Sequence, residues 1–474
     1  MRLRGFEMLF DKIKRAGRVA VVLTVVLTPG AHAETLADAL VSAYESSGLL
    51  TQNQALLRAA DEDVAAARAA LKPVVRWTAD ITQTLGQGRS SSSSFDSDSL
   101  DVTGSLIAEL LLYDFGASSL NIEATKETVL ATRQALISVE QQILLRAVEA
   151  YNGVVEAKEF VSLRQNNVRL LQQELRAAQN RFEVGEVTRT DVALAEAQLA
   201  EARSGLATSQ GDLVEAVEEF RNATGRAPGN LETTRRLPKI ETNVNSAKAF
   251  ALRRHPDLRA VQHQVSAAEL SIRTAQAQQR PTISAQGSAT LSNDLESSDY
   301  TSSASIGIVA GGPIYSGGLL SSAVRSAQAQ RDATRGNLHT VLRNVEQSVG
   351  NAYAQLSSAR ASLAASEEQV RSARIAFEGI REEAKLGART TLDVLDAEQS
   401  LLDAGASRIA AQTLLYNAAY AVLSSTGQLT ARDLRLPVQL YDVTEYYNLV
   451  KDSPTARSKQ GAQLDRVLKR LQKN

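Results

Sequence analysis

Two hydrophobic periods alternate along this chain. Residues 36–71 carry apolar positions at helical spacing, and the pattern stops near Pro73, where a missing N–H ends a helix. The period then drops to two. Val75, Trp77, Ala79, Ile81 and Leu85 alternate with Arg76, Thr78, Asp80, Thr82 and Thr84. A Gly/Ser-rich stretch, 86–98, separates these from Leu100, Val102, Gly104, Leu106, Ala108 and Leu110, which alternate with Asp101, Thr103, Ser105 and Glu109. The pattern predicts a β-hairpin at about 74–112, with strands of roughly ten residues. Residues 119–182 contain no proline and one glycine, Gly153, which predicts a single helix roughly 95 Å long. Beyond Gly185, Val192, Ala195, Leu199, Ala202, Leu206, Ser209, Leu213, Ala216 and Phe220 recur every three and four residues, the spacing of a coiled-coil seam.

The whole order then repeats. A helical stretch at 247–279 ends near Pro281, and a second hairpin, about 282–312, alternates Ile283, Ala285, Gly287, Ala289 and Leu291 with polar neighbours. Its return strand carries Tyr300, Ala304, Ile306 and Ile308. Another long helix and another seam follow, from Val394 and Ala397 to Val422. Gly185 matches Gly387 at 387 − 185 = 202, and the same offset pairs Thr188 with Thr390, Asp191 with Asp393, and Asn53 with His255. A period this long marks a duplicated half. The expected division is 34–240 and 241–440 as two structural repeats, with 441–474 as a tail. The tail is basic, and Leu464, Val467, Leu468 and Leu471 give it a short amphipathic helix.

One alternating hairpin fits a soluble sheet with one buried face. Two of them, each of bilayer-crossing length, fit a membrane barrel, where every edge must be paired. Four strands cannot close, so several chains would have to pool them; three chains give twelve. Export is expected: Arg2, Arg4, Lys12, Lys14, Arg15 and Arg18 precede a short apolar run, and Ala31-His32-Ala33 forms a signal-peptidase pattern, which makes 1–33 a signal peptide. No other segment is long and apolar enough for a membrane-spanning helix.

Composition narrows the function. The net charge of −1 argues against a nucleic-acid partner. The absence of cysteine excludes disulfides, thiolate metal sites and a lipid-modified cysteine. After the leader the histidines are His255, His263 and His339, with no metal-ligand spacing, and neither a phosphate loop nor a serine-nucleophile motif is present. An enzyme is therefore not expected, and no cofactor. Aromatics make up only 4% of the chain, which suits thin walls of close-packed helices better than one thick core. A structural trimeric coiled coil without transport activity is the alternative, but it would need neither the hairpins nor the duplication.

Four motifs carry a family resemblance. They are Arg181-Phe182-Glu183-Val184-Gly185-Glu186-Val187-Thr188 with Asp191-Val192, Lys385-Leu386-Gly387-Ala388-Arg389-Thr390 with 392–397, His255-Pro256-Asp257-Leu258, and Tyr315-Ser316-Gly317-Gly318. In this order, and doubled, they resemble the TolC family of outer-membrane efflux proteins over about residues 34–440. The resemblance implies an α+β outer-membrane channel-tunnel: four transmembrane strands per chain, a twelve-stranded trimeric barrel, and a long coiled-coil helical barrel in the periplasm of a Gram-negative bacterium. It implies a homotrimer in outer-membrane lipid, joined by a periplasmic adaptor to an inner-membrane ABC, RND or other pump, exporting proteins, drugs or both.

Two sites follow from that resemblance. The helix turns at Val184, Gly185, Val187 and Thr188, and at Leu386, Gly387 and Thr390, are the implied adaptor-docking tips, although each also reads simply as a capped turn. Asp393 and Asp396, on one helix face, would form a ring of carboxylates about a three-fold axis and filter cations. In the resembled family an arginine placed as Arg389 bonds across to a Thr-Asp pair matching Thr190 and Asp191, closing a periplasmic gate. Ala384 stands where the best-known gate of the family has a tyrosine.

Overall fold

Ser47 interrupts what reads in the sequence as one helix. In the computed structural model, which describes residues 33–89, 94–233, 236–295, 299–455 and 457–471, α1 (Leu36–Ser46) ends there and α2 (Gly48–Ala69) begins. The Ser47 hydroxyl accepts from the Leu50 N–H and caps the new helix. The leader expected at 1–33 lies, but for Ala33, outside the described residues. In the second half α5 (Val244–Arg254) and α6 (Pro256–Ala277) break at His255, with Pro256 in the first turn of α6. His255 thus corresponds to Ser47, at an offset of 208. The sequence pairing of His255 with Asn53 is corrected, since Asn53 lies inside α2.

The strands form one antiparallel sheet in the order β1-β2-β3-β4: β1 (Val74–Arg89), β2 (Ser94–Tyr113), β3 (Thr282–Asp294) and β4 (Tyr300–Gly311). In the first hairpin they run 16 and 20 residues, longer than the ten expected, because pairing continues through most of the Gly/Ser-rich stretch. Backbone ladders need no apolar side chains, so the alternation fades before the strand does. The register stacks Trp77, Leu106, Ala289 and Ala304 across the sheet, and Val75, Ala108, Gly287 and Ile306 beside them. Trp77 is 75% exposed and Ile306 91%, so this apolar face is bare in the single chain. The opposite face is knitted by hydroxyls: Thr103 to Ser292 at 2.9 Å, Ser105 to Thr290 at 3.1 Å and Ser288 to Ser305 at 2.9 Å.

Left-handed backbone at Gly116 and Gly318, both at φ 87°, launches two helices of 67 residues each, α3 (Ala117–Glu183) and α7 (Leu319–Lys385). At about 1.5 Å per residue each is roughly 100 Å long. They return as α4 (Arg189–Thr224) and α8 (Thr391–Ser425). These elements keep the 202 offset, so the six-residue shortening of the second half falls in its hairpin. Buried positions form several small clusters along the rods. Near mid-length Tyr151 and Phe220 are fully buried, and the Tyr151 hydroxyl donates to the carbonyls of Glu34 (3.0 Å) and Glu232 (2.9 Å). No helix among the described residues is long and apolar enough to cross a membrane.

The tail docks on α2. In α9 (Glu445–Val450) the Tyr446 hydroxyl donates to Glu62 at 2.7 Å, and Arg68 reaches Asp452 at 3.0 Å. Leu464 and Leu468 of α10 (Lys459–Leu471) pack against Tyr446 and Val450.

Candidate gate and docking tips

The two tips are built alike. At the first, Gly185 takes φ 79°, its N–H donates to the Phe182 carbonyl (3.0 Å), and the Glu186 N–H to that of Arg181 (2.9 Å). At the second, Gly387 takes φ 78°, and the Ala388 N–H donates to the Glu383 carbonyl at 2.9 Å. These bonds satisfy the last carbonyls of α3 and α7. Capping boxes start the return helices. The Thr188 N–H and hydroxyl donate to Asp191 Oδ2 at 2.8 and 2.7 Å, and those of Thr390 donate to Asp393 Oδ2 at 2.9 Å each. Val184, 71% exposed, and Leu386, 86%, stand at the ends of the turns, while Val187 is half-buried.

Asp393 and Asp396 are not an equivalent pair. The Thr390 N–H and hydroxyl hold Asp393 below the ordinary carboxylate range, fixing it as the cap of α8. Asp396 is exposed, and its carboxylate makes no hydrogen bond or ion pair among the described residues. Asp191 is likewise lowered by the Thr188 hydroxyl and N–H. Within one chain Arg389 does not meet Thr190 or Asp191. Its Nε donates to Glu383 Oε2 at 2.8 Å, one turn back across the tip, and Thr190 is exposed in the first turn of α4. Ala384 is buried against Phe377, Val394 and Ala397, inside the α7/α8 pair.

Sequence reading missed a further polar group. Glu398 is 3% exposed and lies where α8 turns toward α3; Asn167 Nδ2 donates to its Oε1 at 2.8 Å. Burial pushes its carboxyl up to about 7, against the pull of the Asn167 bond. The signal was a second run of three-and-four spacing on α8, Leu395, Glu398, Leu402, Gly405 and Ile409, beside the seam facing α7. Gly405 permits the close approach, since a Cβ there would stand 3.2 Å from Leu163 Cδ1 of α3.

The model of the outer membrane efflux protein family matches residues 39–226 and 250–428, the two halves of the rod-and-hairpin unit. The chain belongs to that family. The outer membrane efflux protein BepC of Brucella suis is 33% identical over 449 residues, 94% of this chain and 96% of that protein. The alkaline protease secretion protein AprF of Pseudomonas aeruginosa is 27% identical, covering 69% of each. Among solved structures, the Campylobacter jejuni CmeC outer-membrane channel superposes with a TM-score of 0.74 at 16% identity, over 88% of this chain and 89% of that one. The protein is an outer-membrane export channel that extends into the periplasm. Its sheet carries a bare apolar face, and its long helices extend away from the sheet.

Proposed function

We propose that three copies close a twelve-stranded barrel and a continuous helical tunnel, and that the tunnel receives substrates from an inner-membrane pump through a periplasmic adaptor. The sheet carries this reading: it has four strands and two unpaired edges, β1 and β4, which lipid cannot satisfy. The duplication supports it independently. The α8 face seated on α3 includes Leu402, Glu398 and Ile409; shifted by 202 it becomes Ala200, Glu196 and Ala207 on α4, all exposed. The α7 helix of a second copy is the equivalent cover for that bare face.

The tips at Val184, Gly185, Val187 and Thr188, and at Leu386, Gly387 and Thr390, are the adaptor contacts in this scheme. Asp396 supplies the cation-filtering ring, with Asp393 as its structural support. Arg389 leaves Glu383 for the Thr190–Asp191 corner of a neighbouring copy when the gate closes. Both drugs and proteins are candidate cargo, since the similar proteins are named for efflux and for protease secretion. A heat-resistant oligomer that forms single channels in planar bilayers is the expected result. A monomer, or an oligomer without conductance, would favour the structural coiled-coil alternative. Comparing exported proteins and drug sensitivity after gene deletion assigns the cargo.

A further inference from the structure

Two polar ties hold the α7/α8 pair on α3 near the tips. Glu174 of α3 pairs with Arg381 of α7 at 2.9 Å, and Asn167 of α3 donates to Glu398 of α8. The second tie is incomplete. Glu398 Oε2 is buried and has no hydrogen-bond partner among the described residues. Beside it lies a partly open cavity of about 660 Å³ between α3, α7 and α8, lined by Leu163, Leu170 and Leu402 and by the polar Asn166, Arg374 and Arg408. A carboxylate with one solvated face removed and one oxygen unpaired is costly as an anion and cheap as an acid.

We propose that the Asn167–Glu398 tie is a proton-operated catch on channel opening, a reading that rests on the channel function above. With Glu398 protonated, the α7/α8 pair stays seated on α3; with Glu398 ionised, the seat is weakened and the pair is released.

The charged neighbours leave this balance to Glu398 itself. From α3, Glu174 faces it but is neutralised by Arg381 of α7, and Glu159 lines the far part of the cavity. Arg374 of α7 and Arg408 of α8 also line the cavity. Neither forms an ion pair with Glu398, and Arg408 donates to Gln412 at 3.3 Å. From α4, Leu199 and Ala202 pack against Leu395 of α8, and the neutral Gln198 donates to Gln399 at 3.5 Å. Seated, the carboxyl titrates near 7; released into water it returns to its ordinary value. The catch is therefore fully set below the ordinary carboxylate range and is lost as pH rises toward 7.

The test is the open fraction of the purified oligomer in planar bilayers from pH 5 to 8. The wild type is expected to open about tenfold more often at pH 7.5 than at pH 5, a tenfold change in proton occupancy per pH unit setting the limit. Glu398→Gln keeps an acceptor for Asn167 but cannot ionise, so its profile should be flat at the low-pH level. Because the natural chain has no cysteine, Leu163→Cys with Gly405→Cys gives a clean cross-link between α3 and α8. Oxidation should abolish the pH response, and reduction should restore it. A wild-type slope in Glu398→Gln, or in the oxidised double variant, overturns the catch while leaving the channel intact. Absence of conductance at every pH overturns the channel reading and the catch with it.

Discussion

Thr390 and Asp396 stand six residues apart on one tip and should fail differently. Thr390→Ala removes the capping box of α8, at a cost of about 1 kcal/mol. The loss should appear as faster proteolysis at the second tip and a lower melting temperature. Asp396→Asn touches no internal bond, so stability should stay within about 0.5 kcal/mol while the preference for cations falls in reversal-potential measurements. If both variants shift stability equally, Asp396 is structural. Arg389→Ala frees Glu383 and leaves Lys385, already paired with Glu382 at 2.6 Å, as the remaining cation of the turn. Resting conductance should rise, and an unchanged value would strip Arg389 of a closing role.

At the scale of elements, the tail's hold on α2 should depend on pH. Asp61 of α2 is 1% exposed, and burial pushes its carboxyl up to about 6, although Arg133 Nη2 lies 3.8 Å away and opposes the shift. A raised acid favours the docked state below the ordinary carboxylate range, and that advantage is lost as pH rises through 6. Hydrogen exchange in α9 should therefore quicken from pH 4 to pH 7 beyond the intrinsic rate, and Asp61→Asn should remove the excess. What the sequence disclosed at this scale follows from range. Tips were readable because glycine and Thr-x-x-Asp act within five residues, and hairpins because a bilayer imposes alternation. The break at Ser47 was not readable, since apolar spacing runs on through it. Glu398 was missed because α8 has two seams, and only the partner helix reveals the second. Arg389 was matched to Asp191 by likeness, while the fold places Glu383 nearer.

Across the whole molecule, the bare face of α4 is the sharpest handle. Ala200 corresponds to Leu402, which is 4% exposed in α8. Ala200→Asp should leave the chain folded by circular dichroism yet shift the heat-resistant oligomer to monomer on gels; an unaltered oligomer would place the subunit seam elsewhere. The unequal hairpins bear on symmetry. Return helices of 36 and 35 residues keep the duplicated halves matched at the tips, so the proposed trimer would present six nearly interchangeable docking points there. Strands of 16 and 20 residues against 13 and 12 erase that match at the sheet end, where in the proposed trimer tall and low battlements would alternate. In that trimer a ligand gripping the channel from inside the cell envelope would meet a hexagon, whereas one landing from outside would meet a triangle.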